Sequence, residues 1–234
     1  MLVNAQGRFL SQRSHPLLAR ITTAITATHL TLQIDDAPPL VLPLEPRGEV
    51  TAVQVWNDPC DGFDQGEAAT AWASQAVGEP ARVVRMPAHP SRMASAKYAG
   101  PSPVPVSFAD GFPVLVCNRA SLEALNLRMP APVGMERFRP NLVLGGLPAF
   151  AEDRIEAVHI GGVTLNLVKP CTRCVITSMY QRSGAPSTNP LPVLKEFRMD
   201  RELHGVTFGE NAVPAAGVGQ FIELGAECEV EYED

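Results

Sequence analysis

The chain is poor in the features that would settle its class quickly. Five cysteines in 234 residues are too few, and odd in number, for a disulfide scaffold. Aromatic residues make up 6%, and charged residues only 19% with a formal net charge of −6, so the broad basic face that nonspecific nucleic-acid binding needs is missing. No apolar run approaches the length of a membrane helix, and Met1-Leu2-Val3 is not the charged lead of a signal peptide. A soluble, cytoplasmic protein with no nucleic-acid or membrane partner is expected. P-loop, Rossmann glycine, H-E-x-x-H and G-x-S-x-G patterns are absent. The five histidines form no H-x₃₋₅-H pair and receive no catalytic role.

What remains is an ordinary globular balance, 45% hydrophobic, cut into short pieces by 22 prolines and 18 glycines. The pattern predicts strands at Leu2–Asn4, Arg8–Leu10, Ala19–Thr26, Leu30–Ile34, Leu40–Leu44, Val50–Trp56, Ala81–Arg85 and Pro113–Cys117. Further strands are expected at Leu142–Leu144, Ile155–Ile160, Val163–Val168, Val175–Ser178, Val206–Phe208, Gln220–Leu224 and Cys228–Tyr232. Gly161-Gly162 marks a hairpin. From Gln65 to Val77, residues Ala68, Ala69, Trp72, Ala73, Ala76 and Val77 keep a helical period that stops at Gly78. Asp61 and Asp64, with Gly62 and Gly66, read as a capped turn before that helix, and Asn118 as the N-cap of a short helix ending at Leu125. A polar, Pro-rich stretch from Met86 to Pro105 is the boundary candidate. The fold class is mixed and predominantly β: a smaller β/α portion over residues 1–95, then a β-barrel-like core with a few helices over 96–234.

Three constellations carry chemistry. Cys171-Thr172-Arg173-Cys174 puts two thiols and a guanidinium on one turn of chain. A thiolate is a soft metal ligand, a cation beside it favours that form, and Arg grips phosphate in a two-pronged fork. Zinc fits poorly without further ligands, and a redox pair fits poorly where Val175 to Ser178 continues as strand. Two ordinary loop cysteines remain an open alternative. Arg137-Phe138-Arg139-Pro140-Asn141 offers donors before an apolar strand, with Arg137 expected in a solvated basic loop. In Phe208-Gly209-Glu210-Asn211, Gly209 permits close backbone approach and Asn211 can meet the edge of a heterocycle. Cys60, Cys117 and Cys228 stand apart and are expected to be structural.

Together with Ser107-Phe108-Ala109-Asp110-Gly111-Phe112-Pro113 and Lys169-Pro170, these segments resemble, in order, the MOSC family (molybdenum cofactor sulfurase C-terminal), nearest its amidoxime-reducing branch. Asp64 to Ala69 and Gly7 to Arg13 resemble the β-barrel domain that precedes it in that family. The resemblance implies a molybdenum cofactor, molybdopterin with one metal, bound through Cys174 as sole protein ligand and catalytic residue. Thr172, Arg173, Arg139, Asn141, Asn211, Asp110, Gly111 and Phe112 would contact the cofactor, and Cys171 would lie just behind it. It implies reduction of N-hydroxylated small molecules (amidoximes, hydroxylamines, N-oxides), with electrons from a separate flavoprotein, iron–sulfur or haem carrier. The alternative within the same family is a non-catalytic cofactor-binding or sulfur-carrier module, of the kind attached to pyridoxal-phosphate sulfurases; pyridoxal phosphate binding enters only at that family level. Family members begin with a Pro-x-Lys-Ser strand and a Gly-Asp-Arg segment; Met1 aligns after both, so a start further upstream is expected. No ferredoxin-like cysteine cluster follows the MOSC segments.

Overall fold

The computed structural model describes residues 1–45 and 48–233. The chain packs as two compact units. The first holds Met1–Met93, Pro105–Asp110 and Met179–Ser187; the second holds Ala94–Val104, Gly111–Ser178 and the chain from Thr188 onward. The fold is mostly β, with few helices.

In the first unit, β1 (Leu2–Asn4), β5 (Val50–Val55), β6 (Asp58–Asp64) and β7 (Ala81–Arg85) form a sheet in the order β1-β7-β6-β5, while β2 (Thr22–Ile25), β3 (His29–Ile34) and β4 (Ala37–Pro43) form a meander. Helix α1 (Gly66–Val77) buries Ala69, Trp72, Ala73 and Ala76, but not the expected Ala68, against the apolar residues of the meander and of β7. Its Trp72 indole donates to the Pro38 carbonyl at 2.9 Å. Gly78 ends it in the left-handed region at φ 78°.

In the second unit the elements run α2 (Ala96–Ala99), β8 (Val114–Asn118), α3 (Arg119–Asn126), β9 (Leu142–Leu144), β10 (Ile155–Ile160), β11 (Val163–Thr172), α4 (Leu191–Phe197), β12 (Met199–Asp200), β13 (Gly205–Ala216) and β14 (Glu229–Tyr232). Seven strands make one curled sheet in the order β14-β10-β11-β13-β8-β9, with β12 beside β13; only β8–β9 is parallel. One apolar cluster gathers Val116, Leu144, Val158, Leu165 and Ala212; another gathers Leu125, Phe138, Leu194 and Phe208. The hairpin at Gly161-Gly162 joins β10 and β11, and the Asn118 side chain caps α3 by accepting from the Ala120 amide at 3.1 Å.

Several expectations need correcting. Ala19 and Arg20 belong to a 3-10 turn, Pro16–Arg20, and only Thr22–Ile25 is strand. Arg8 and Phe9 make single bridges to Gln54 and Val3. Asp61 and Gly62 lie inside β6, and Asp64 alone turns the chain, its carboxylate accepting from the Gly66 amide at 2.8 Å. Val175–Ser178 is a 3-10 turn, because the Thr177 amide and hydroxyl both return to the Cys174 carbonyl, at 3.1 and 2.9 Å. Gln220–Leu224 finds no strand partner among the described residues. Helix α4 and strand β6 were not anticipated.

Candidate functional site

The long strands β11 and β13 pair from Thr164↔Ala216 to Thr172↔Thr207, with irregularities at Leu167/Lys169 and Pro170/Thr172. That pairing carries the cysteine segment to one end of the sheet. There the three constellations meet. Asn211 lies opposite Lys169, and its Nδ2 donates to the Lys169 and Pro170 carbonyls at 3.1 and 3.4 Å. On its other side Asn211 pairs with Leu115, whose amide donates to Asn141 Oδ1 at 2.9 Å. Two predicted asparagines therefore brace neighbouring strands.

Arg173 links the cysteine segment to the Arg139 loop. Its Nη2 donates to the Phe138 carbonyl at 2.7 Å, its Nη1 to Cys171 Sγ at 2.9 Å, and its guanidinium carbon sits 5.4 Å from the Phe138 ring centroid. Phe138 in turn stacks on Phe208, with ring centroids 4.0 Å apart. Arg173 Nε is buried with no hydrogen-bond partner among the described residues. Leaving such a donor unsatisfied costs about 1–3 kcal/mol, and a thiol is only a weak acceptor for Nη1. This guanidinium has more donor capacity than the surrounding protein satisfies.

Cys174 follows, half-buried at the start of the 3-10 turn, and Thr172 is exposed beside it. Arg139 is exposed and holds φ 56°, a left-handed backbone that an L-residue adopts at some cost. Arg137 is not the solvated residue expected. It is 4% exposed, and its Nη1 donates to the Thr177 carbonyl at 3.2 Å, tying its turn to the one after Cys174. The turn Met135–Arg137 rotates Arg137 inward while Arg139 points out; two arginines flanking a phenylalanine were the only sequence hint of a split pair.

The remaining predicted residues divide. Gly111 and Phe112 are half-buried in the second unit, with Phe112 meeting Tyr98 edge to face. Asp110 belongs to the first unit, where its carboxylate accepts from the Trp56 indole at 3.0 Å and its carbonyl from Arg92 at 3.0 Å. Gly209, at φ 74°, lets β13 approach β8 so closely that a Cβ would lie 2.6 Å from Cys117 Sγ. Burial pushes the Cys117 thiol up to about 12, the state of an inert core cysteine. Cys60 is also buried and Cys228 half-buried.

Among the described residues no three His, Cys, Asp or Glu side chains converge as metal ligands. A metal at Cys174 would therefore have to arrive with most of its ligands on an organic group. An underused guanidinium and a half-buried sulfur fit a cofactor of that kind with an anionic tail.

Residues 103–229 match the MOSC domain, and residues 1–80 match the MOSC N-terminal beta barrel domain. The chain belongs to the MOSC domain family. It is 32% identical over 230 residues to mitochondrial amidoxime-reducing component 1 of Mus musculus, covering 96% of this chain and 66% of that protein. Against the Homo sapiens protein of the same name it is 30% identical, covering 88% of this chain and 64% of that one. Molybdenum cofactor sulfurase of Danio rerio is 30% identical over 88% of this chain, but over only 27% of its own length. This MOSC chain thus spans just under two thirds of the amidoxime-reducing components it matches. The name of the Danio rerio relative ties the family to the molybdenum cofactor.

Proposed function

We propose that this MOSC chain is a molybdenum-cofactor-dependent reductase of N-hydroxylated compounds, fed by a separate electron-donor protein. The observation that supports the reading most directly is the junction at Arg173. One guanidinium fastens the Cys174 loop to the Arg139 loop and still keeps a buried Nε that meets no acceptor among the described residues.

Cys174 would be the protein's single metal ligand. Arg173 and Arg139 would hold the anionic tail, and Thr172, Asn141, Asn211, Gly111 and Phe112 would border the organic ring. Asp110, engaged by Trp56, is left out of this set. Bound there, the cofactor supplies the two-electron chemistry that removes oxygen from nitrogen. The protein's share is placement: Asn211 and Asn141 fix the strand ends, Phe138 on Phe208 backs the Arg173 clamp, and Arg137 holds the turn after Cys174 from behind.

Cys174→Ala should abolish benzamidoxime reduction by the cofactor-loaded full chain with dithionite as reductant, while the thermal midpoint of the cofactor-free protein stays within a degree or two. Cys171→Ala should be much milder, since on this reading Cys171 holds no metal and gives Arg173 Nη1 only a weak acceptor. Turnover by a metal-loaded Cys174→Ala protein would falsify the ligand role. The match to a cofactor sulfurase favours a second reading, a carrier module, which predicts persulfide on Cys174 by mass spectrometry and no turnover.

A further inference from the structure

Lys169 stands near the Thr172 end of β11, two residues before Cys171, which at strand rise is about 7 Å of chain. It is half-buried and forms no ion pair among the described residues. Its Nζ instead lies 5.0 Å from the Tyr98 ring centroid and 5.9 Å from that of Phe112. The two rings meet edge to face, their centroids 6.4 Å apart. Lys97 brings a second ammonium to 4.9 Å from the same Tyr98 ring. Two cations thus converge on one phenol ring, all within the second unit, and among the described residues neither forms an ion pair with a carboxylate.

A partly desolvated ammonium is held in place by aromatic faces, but those faces leave its full charge uncompensated. Nothing in the braced strand ends requires a lysine: Asn211 bonds the Lys169 carbonyl, which any residue supplies. The side chain is therefore free to serve a ligand. Its surroundings name the ligand's chemistry, an anionic group on a flat apolar body that can lie along Tyr98 and Phe112.

We infer that Lys169, with Tyr98, Phe112 and Lys97, forms a subsite for the carboxylate of an aryl substrate, so that this chain selects acidic N-hydroxylated compounds over neutral ones. The inference rests on the reductase reading for the word substrate and on the lysine–aromatic geometry for the subsite itself. The same charge could instead serve a phosphate of the cofactor, and the two sources part in the experiment below.

Binding of benzamidine and of 4-amidinobenzoate, the products expected from a neutral and an acidic amidoxime, is measured by calorimetry on the cofactor-loaded full chain. Wild type should bind 4-amidinobenzoate at least tenfold more tightly, about 1.4 kcal/mol. Lys169→Met should erase that preference, and Lys97→Ala should reduce it about threefold. Kinetics with benzamidoxime and 4-carboxybenzamidoxime should show the same split, with Lys169→Met raising KM for the acid about tenfold and for the neutral compound less than twofold. The inference is overturned if wild type shows no preference, or if Lys169→Met retains it. It is also overturned if Lys169→Met loses pterin and molybdenum and weakens both ligands equally, since the anion is then the cofactor's. Preferential binding without turnover of either amidoxime upholds the subsite and removes only the reductase reading.

Discussion

Glu210 lies opposite Val116 on one neighbouring strand and Pro170 on the other, 4% exposed, with Oε1 bonded to nothing among the described residues. Burial is the main reason its carboxyl is pushed up to about 9; Asp153 adds to the shift and Arg198 opposes it. Glu152 moves the same way through burial, opposed by hydrogen bonds from Ser121 and Asn118. With a folded value above the unfolded one, the native state keeps a proton the unfolded chain releases near 4.5. The stability that Glu210 contributes is then fully present below about 4.5, falls as pH rises to about 9, and levels off above. Glu210→Gln keeps the neutral shape and removes the titration. Urea unfolding at pH 5 and pH 8.5 should show wild type losing at least about 1.4 kcal/mol more than the variant, the worth of one pKa unit. Equal losses would mean that another group titrates.

Between residues and the sheet stands the contact of β13 with β8, which depends on Gly209. A methyl group there meets Cys117 Sγ at 2.6 Å and the Val116 carbonyl at 2.7 Å, on a backbone at φ 74°. Overpacking and left-handed strain together should cost Gly209→Ala about 2–4 kcal/mol in chemical denaturation. Gly219→Ala is the control: its φ is 89° but nothing lies within 4 Å, so only the strain remains, about 1–2 kcal/mol. If the two variants lose equally, close approach of the strands is not what the glycine provides. At Gly209 the sequence shows only that the backbone can come close to a neighbour; that the neighbour is Cys117 on β8 follows from the strand pairing. Helix α1, the Asn118 cap and the Gly161-Gly162 hairpin were readable, since each is fixed by local chemistry. Strand β6 was hidden because Asp-Pro-Cys-Asp-Gly reads as turn, and only pairing with β5 and β7 makes it extended. The run Val175–Ser178 misled in the other direction: β-branched residues suggested strand, and hydrogen bonds from Thr177 back to Cys174 decided for a turn. The inward turn of Arg137 and the pairing of Lys169 with Tyr98 depend on contacts between distant segments, which no local pattern records.

For the molecule as a whole, the proposed cofactor site draws on only one of the two units. All proposed contacts fall in the second unit; the turns beside Cys174 and Arg139 are joined by side chains, Arg173 to Phe138 and Arg137 to Thr177, while Asn211 and Lys169 meet across the β11–β13 ladder. A ligand that binds only the folded state stabilises it by mass action, about 2.7 kcal/mol at a hundredfold excess over its dissociation constant. That stabilisation should be concentrated where segments are clamped. Hydrogen exchange on cofactor-loaded and cofactor-free full chain should therefore slow in residues 134–141, 169–178 and 205–211. The β2–β3–β4 meander of the first unit, with its own core around Leu32 and Ile34, should exchange as before. Cys174→Ala should leave part of the protection at residues 134–141, because on the proposed reading Arg139 and Arg173 would still hold the anionic tail, and lose it at residues 174–178, where the sulfur would be the anchor. Uniform slowing across both units, or protection at residues 174–178 that survives the loss of the sulfur, would place the binding energy somewhere other than this junction.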